Sequence, residues 1–207
     1  MALNIICLHG FTQNTEIFKK KLSKLTKSAK GFNLYFLDGS IILPNPDAIN
    51  SRAYWVYDNE NPMDAIWTDH YKSEIKIYGL DESLDALINL GKQIGKVDGI
   101  IGFSQGGCFT DYICKMYSIG KIPFDIRFAI FISAEYFNRS DYEFENIQPS
   151  IQTLHMYGKA DTIIPNSMSE KLANYYPNKE VFIHEGTHIV PSTSAAKNAF
   201  RKLISQF

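Results

Sequence analysis

Short apolar runs alternate along this chain with stretches of helical periodicity, and no other feature narrows the fold so far. The runs Asn4–Leu8, Asn33–Leu37, Val97–Gly102, Ile126–Ile132, Ile151–Tyr157 and Glu180–Ile183 are too short for helices and read as buried strands. Helical spacing marks 15–30, where Ile17, Phe18, Leu22 and Leu25 share one side and a run of lysines forms a solvated face. It returns over 81–94 behind Asp81, read as an N-cap, then over 105–119 and 166–175. A last helix is expected to open near Pro191, a favoured first-turn residue, and to run to Leu203 or Ile204. Apolar strands separated by helices predict a mostly parallel sheet of about six strands with helices on both faces. Such sheets hold ligands in the crevice beyond the carboxyl ends of their strands, so the loops after each strand carry the chemistry.

One of those loops is distinctive. Val97 to Gly107 reads as an apolar strand running through Gly102-Phe103-Ser104-Gln105-Gly106 into a helix. This G-x-S-x-G pattern between strand and helix is a nucleophile elbow, a sharp turn that pushes a serine hydroxyl out at the carboxyl edge. Glycine at 102 and 106 lets strand and helix close around a strained serine.

A serine needs a base to take its proton and a third group to orient that base. On a sheet with an elbow the chain order is Ser, then Asp or Glu, then His. Asp161 lies in the loop after the next-to-last strand and His188 in the loop after the last, so Ser104, Asp161 and His188 are the catalytic candidates. His184 competes with His188 but ends a strand, and is expected to pack or hydrogen-bond within its loop. His155 falls inside a strand and His70 in an irregular region; Asp38 reads as a loop-shaping residue. A tetrahedral oxyanion needs two fixed donors, assigned to the backbone N–H groups of Gln105 and Phe11. His9, beside Phe11, precedes the serine and reads as a brace for the oxyanion loop. Between 40 and 78 the periodicity is lost, and Tyr54, Trp55, Tyr57, Trp67 and Tyr71 crowd the stretch. Rings there either pack the core or line an acyl pocket, with Trp55 and Tyr54 the pocket candidates.

Composition removes other classes. With 207 residues the chain is expected to form a single domain, 1–207, with a real core. A net charge of −1 gives no electrostatic case for nucleic acid or an anionic membrane. Cys7, Cys108 and Cys114 all fall in apolar segments and suit buried free thiols in a reducing compartment. No metal spacing appears, no basic-then-apolar leader opens the chain, and no apolar run is long enough to span a bilayer. The sequon Asn138-Arg139-Ser140 is read as a coincidence. The expected location is cytoplasmic.

Leu8-His9-Gly10-Phe11-Thr12-Gln13-Asn14, Phe36-Leu37-Asp38-Gly39, Arg52-Ala53-Tyr54-Trp55, the elbow and the Asp161 and His188 loops together resemble the fungal serine hydrolase (FSH) family, from about Asn4 to Phe207. The resemblance implies a compact α/β-hydrolase with a Ser-Asp-His triad, no cofactor, and a small-molecule carboxylic ester or acyl substrate, in some members long-chain or thioester. Two departures stand out. Gly186-Thr187-His188 replaces the usual Gly-Gly-His, and a β-branched residue is stiffer, so the loop differs if that glycine has positive φ. Ala134–Pro149 leaves little room for a cap, so a minimal one is expected. Acyl-thioester or phospholipid cleavage uses the same residues. A lactone or dienelactone hydrolase is disfavoured because its elbow nucleophile is often cysteine. A non-catalytic binding protein on a hydrolase scaffold is the alternative of another class.

Overall fold

The computed structural model describes residues 2–27, 29–44, 50–58, 76–137, 144 and 147–207. Trp67, Tyr71, His70 and the sequon lie outside the described residues. The order is β1 (Leu3–Leu8), α1 (Thr15–Thr26), β2 (Phe32–Leu37), β3 (Ile41–Ile42), β4 (Arg52–Ala53), β5 (Val56–Tyr57), β6 (Ile77–Tyr78) and α2 (Leu80–Ile94). Then follow β7 (Gly99–Phe103), α3 (Gln105–Ser118), β8 (Phe128–Ile132), β9 (Gln152–Gly158), α4 (Asn166–Tyr175), β10 (Lys179–His184) and α5 (Ser194–Ile204).

Six strands form one sheet in the order β10-β9-β8-β7-β1-β2, every pairing in it parallel. The pleat sends alternate side chains to opposite faces. Ile5, Cys7, Ile101, Phe103, Ile130, Ile132 and Met156 point into one apolar layer with Phe18 and Leu22 of α1 and Phe200 and Leu203 of α5. Ile6, Leu8, Ile100, Ala129 and Phe131 point into the other, with Leu84 and Leu87 of α2, Phe109 and Ile113 of α3 and Leu172 of α4. That double burial is why these strands carry apolar residues on both sides. All three cysteines are free and buried, and burial raises each thiol's pKa above its ordinary value. No helix among the described residues is long and apolar enough to cross a membrane.

The sheet grows outward in one direction through β2 and in the other through β7 to β10, so the order reverses at β1. The register aligns the strand ends there: Leu8 faces Gly102, Phe103 faces Ile132, and Ile132 faces Met156. The loops after β1, β7, β8, β9 and β10 therefore rise from one edge, at the reversal where parallel sheets hold ligands.

Several boundaries differ from expectation. Asp81 does not cap α2: the cap is Gly79 at φ 85°, and Asp81 lies in the first turn. α1 stops at Thr26 rather than Lys30. α5 opens at Ser194, three residues past Pro191, because the Thr193 hydroxyl accepts from the Ala196 N–H at 3.2 Å and satisfies an orphan donor of the first turn. Among its described residues the stretch 40–78 carries two short antiparallel ribbons, β3 with β4 and β5 with β6. Two-residue strands leave no periodicity to read.

Candidate active site

The polypeptide turns sharply where β7 becomes α3. Ser104 sits at φ 54° and ψ −122°, in the left-handed range that few non-glycine residues adopt. Its carbonyl accepts from Gly107 N–H at 2.8 Å and Cys108 N–H at 3.0 Å, and its own N–H donates to Ile132 carbonyl at 2.9 Å. These bonds hold the strain in place. The flanking glycines are required by space. A Cβ at Gly102 would lie 2.2 Å from the Gly106 carbonyl oxygen, and one at Gly106 would lie 2.3 Å from that of Leu8. Ser104 is only 7% exposed, and its hydroxyl has no hydrogen-bond partner among the described residues.

Asp161, after β9, is fixed from two sides. Its Oδ1 accepts from the N–H groups of Ile163 at 3.0 Å and Ile164 at 2.9 Å. Its Oδ2 lies 2.8 Å from Nδ1 of His188, from the loop after β10. A carboxylate so placed accepts, so Nδ1 carries the proton and Nε2 is left to act as a base. The His188 ring lies against Phe103, centroids 4.9 Å apart, beside the residue that precedes Ser104. The structure thus joins Asp161 to His188 and brings the pair to the elbow; no hydrogen bond joins His188 to Ser104. Thr187 is absent from the positive-φ residues, so the β-branched substitution is accommodated without backbone strain.

The loop after β1 approaches the same point. A Cβ at Gly10 would lie 3.3 Å from Cβ of Ser104. The N–H groups of Phe11 and Gln105 have no internal acceptor among the described residues. His9 is fully buried. Its Nδ1 donates to the Gly10 carbonyl at 2.8 Å and its Nε2 accepts from Gly39 N–H at 2.9 Å, which selects one neutral tautomer. Burial lowers its pKa, opposed by the Gly10 hydrogen bond and the nearby Asp38. His9 braces the loop as expected, and Asp38 accepts from Thr15 N–H at 2.7 Å at the start of α1. His184 accepts from Gly186 N–H at 3.1 Å, which keeps it inside its loop. His155 is buried in β9, stacked on Phe131 at 4.6 Å.

Tyr54 is not a pocket residue. It has no exposed surface, its ring stacks on Phe109 at 4.8 Å, and its hydroxyl accepts from His9 N–H and donates to the Leu37 carbonyl. The hydroxyl ties the excursion to the end of β2 and to the residue after β1, and the ring ties it to α3. Trp55 is 5% exposed and packs edge-on to Phe137 at 5.6 Å.

Three features escaped the sequence reading. The Gln105 side chain accepts from Tyr54 N–H at 3.0 Å and donates to the Trp55 carbonyl at 2.8 Å, clamping the excursion onto the elbow. Asp111 and Lys115 form an ion pair of 2.6 Å with no exposed surface in α3. Lys115 also donates to the Phe137 carbonyl, and Asp111 accepts from Phe137 N–H and Tyr176 hydroxyl, anchoring the segment after β8. Two opposite charges four apart in an apolar helix were the available signal. Glu135, in that same segment, is pushed up to about 7 by burial.

The chain is similar to known proteins over most of its length. Residues 1–200 match the family described as Serine hydrolase (FSH1). Esterase CG5412 of Drosophila melanogaster is 35% identical over 212 residues, covering 96% of this chain and 72% of that protein. Esterase OVCA2 of Xenopus tropicalis is 28% identical over 220 residues, covering 100% of this chain and 94% of its own length. Among solved structures, Zea mays acyl-protein thioesterase 2 superposes with a TM-score of 0.74 at 16% identity, over 99% of this chain and 93% of that one, a likeness of fold. An α/β-hydrolase sheet with a serine at its elbow, matched along nearly its whole length, places this chain in the FSH1 serine hydrolase family.

Proposed function

We propose that the protein hydrolyses carboxylic esters through Ser104, His188 and Asp161. Ser104 Oγ attacks the ester carbonyl while His188 Nε2 takes its proton. The N–H groups of Phe11 and Gln105 hold the oxyanion, and Asp161 stabilises the imidazolium. Collapse of the tetrahedral intermediate breaks the C–O bond, and His188 gives its proton to the departing alkoxide. Water, deprotonated by the same imidazole, then attacks the acyl-serine, and His188 returns that proton to Ser104 Oγ as the acid is released. No cofactor enters the cycle.

The observation that carries this reading is the 2.8 Å bond between His188 and a carboxylate held by two backbone amides, set beside a serine in strained backbone. The missing link between serine and base is a gap that apo sites often close only with substrate bound. Ile163 and Ile189, exposed by 43% and 46%, flank the pair and suit an apolar acyl group. Trp55 is the remaining pocket candidate. Hydrolysis of p-nitrophenyl esters and labelling by a fluorophosphonate probe test the assignment. Ser104→Ala should lose both and keep the fold; a purified Ser104→Ala protein with wild-type turnover would overturn it.

A further inference from the structure

β10 is an outer strand of the six-stranded sheet, and no strand among the described residues pairs with its free side. Its direction of bonding is set by its neighbour. The carbonyls of Asn178 and His184 accept from the Thr153 and Lys159 N–H groups of the β9 side, both at 2.8 Å. Even-numbered residues therefore aim their amide and carbonyl groups at β9. Alternation along a strand aims those of Lys179, Val181 and Ile183 at the open edge.

The side chains of Lys179, Val181 and Ile183 share one face and are not covered. Val181 is 43% and Ile183 47% exposed, Lys179 is exposed at the start of the strand, and Glu185 is exposed just past its end. The even face is already occupied: Phe182 packs into the apolar layer of α5, and Glu180 accepts from Lys202 and Gln206. The strand has neither proline nor a break in its register with β9, two devices that ordinarily protect an edge.

Read along the odd face, the row is basic, apolar, apolar, acidic. Run antiparallel to itself about Phe182, Lys179 meets Glu185 of the partner subunit and Val181 meets Ile183 of the partner subunit. In that register Val181 and Ile183 of the partner subunit both carry outward backbone groups, so they form a hydrogen-bonded pair, and Glu185 of the partner subunit, just beyond the end of β10, comes opposite Lys179. A slip of one residue sets outward groups against inward ones. A slip of two sets Lys179 or Glu185 against an aliphatic side chain. Backbone parity and charge thus select one alignment, and it is self-complementary as a two-fold contact must be. Glu185 also accepts from Lys159 at 2.7 Å, and a carboxylate has lone pairs for both lysines.

We infer that this protein forms a two-fold dimer in which β10 pairs antiparallel with β10 of a second copy, centred on Phe182. The sheet then continues across both subunits, and the two crevices open at opposite ends of it. Sedimentation velocity and light scattering on the full chain test this. The wild type is expected at twice the 23.6 kDa chain mass. Val181→Lys, which sets a charge against Ile183 of the partner subunit, should give monomer. Lys179→Glu should weaken the dimer about tenfold, since rim ion pairs are individually modest, and Lys179→Glu with Glu185→Lys should restore it. Circular dichroism and ester hydrolysis verify that each variant is folded. A monomeric wild type, a dimer that survives Val181→Lys in a folded protein, or a charge swap that fails to restore association each overturns the proposal.

Discussion

Gln105→Met separates the two duties that meet at residue 105. The side chain is of similar length but loses both hydrogen bonds, leaving the Tyr54 N–H and the Trp55 carbonyl without partners. An orphaned buried polar group costs about 1–3 kcal/mol. Tyr54 is fully buried and Trp55 nearly so, while Gln105 is half-buried. Water entering beside residue 105 therefore relieves part of the loss, and about 2 kcal/mol of destabilisation is expected. In a chain of this size that lowers Tm by about 4–8 °C in a thermal melt. The backbone of residue 105 is held separately, by the bonds that Gly107 and Cys108 make to the Ser104 carbonyl. Turnover of a small ester should therefore fall far less than the ~10²–10³-fold that follows loss of an oxyanion donor. Gln105→Glu tests one arm alone. Its carboxylate still accepts from Tyr54 but has no proton for the Trp55 carbonyl, so stability should be lower at neutral pH and recover on acidification. An unchanged Tm in Gln105→Met would show that the clamp carries no energy. A hundredfold fall in kcat at a modest Tm loss would show that the elbow depends on it.

In Asp161→Asn the amides of Ile163 and Ile164 require an oxygen at their acceptor, so the amide nitrogen turns to His188 and stabilises the wrong tautomer. We expect kcat to fall about 10⁴-fold with little change in Tm, and a loss below about tenfold would argue against the orienting role. Lys115→Met leaves the buried Asp111 without its counter-ion and should cost about 3–5 kcal/mol in urea unfolding; a cost under about 1 kcal/mol would contradict the burial argument. His155 is held down to about 3, by desolvation first and the Lys179 charge second. The unfolded chain takes that proton near pH 6.5. Stability is therefore lost on acidification between about 6.5 and 3, with a slope of about 1.4 kcal/mol per pH unit from this group. His155→Phe, which keeps the stack on Phe131, should flatten the stability–pH curve by about that slope; an unchanged curve would mean the native core admits the proton.

The sheet was legible because its inner strands are apolar on both faces. That is a local property, and Ile5-Ile6-Cys7-Leu8 or Phe128-Ala129-Ile130-Phe131 display it without their neighbours. The site candidates were legible for a related reason. His9, Ser104, Asp161 and His184-to-His188 are the polar residues that interrupt an apolar run where it stops, and one edge of a parallel sheet collects such stops. Helix ends were harder: Asp81 and Thr193 are equally good caps in isolation, and only the hydrogen bond to Ala196 separates them.

Sequence order and periodicity were sufficient for the α/β class, the strand-to-helix turn at Ser104, and the set of loops that share its edge. They contain no distances. β10 stands three strands from β7, and only the path of its following loop across β9 and β8 brings His188 against Phe103 and onto Asp161. The role of Tyr54 is likewise decided by contacts with His9, Leu37 and Phe109. So is that of Gln105, whose partners lie some fifty residues away. Periodicity reports what each segment must bury, whereas the choice between packing and chemistry for a given ring or amide depends on which distant groups are left without a partner.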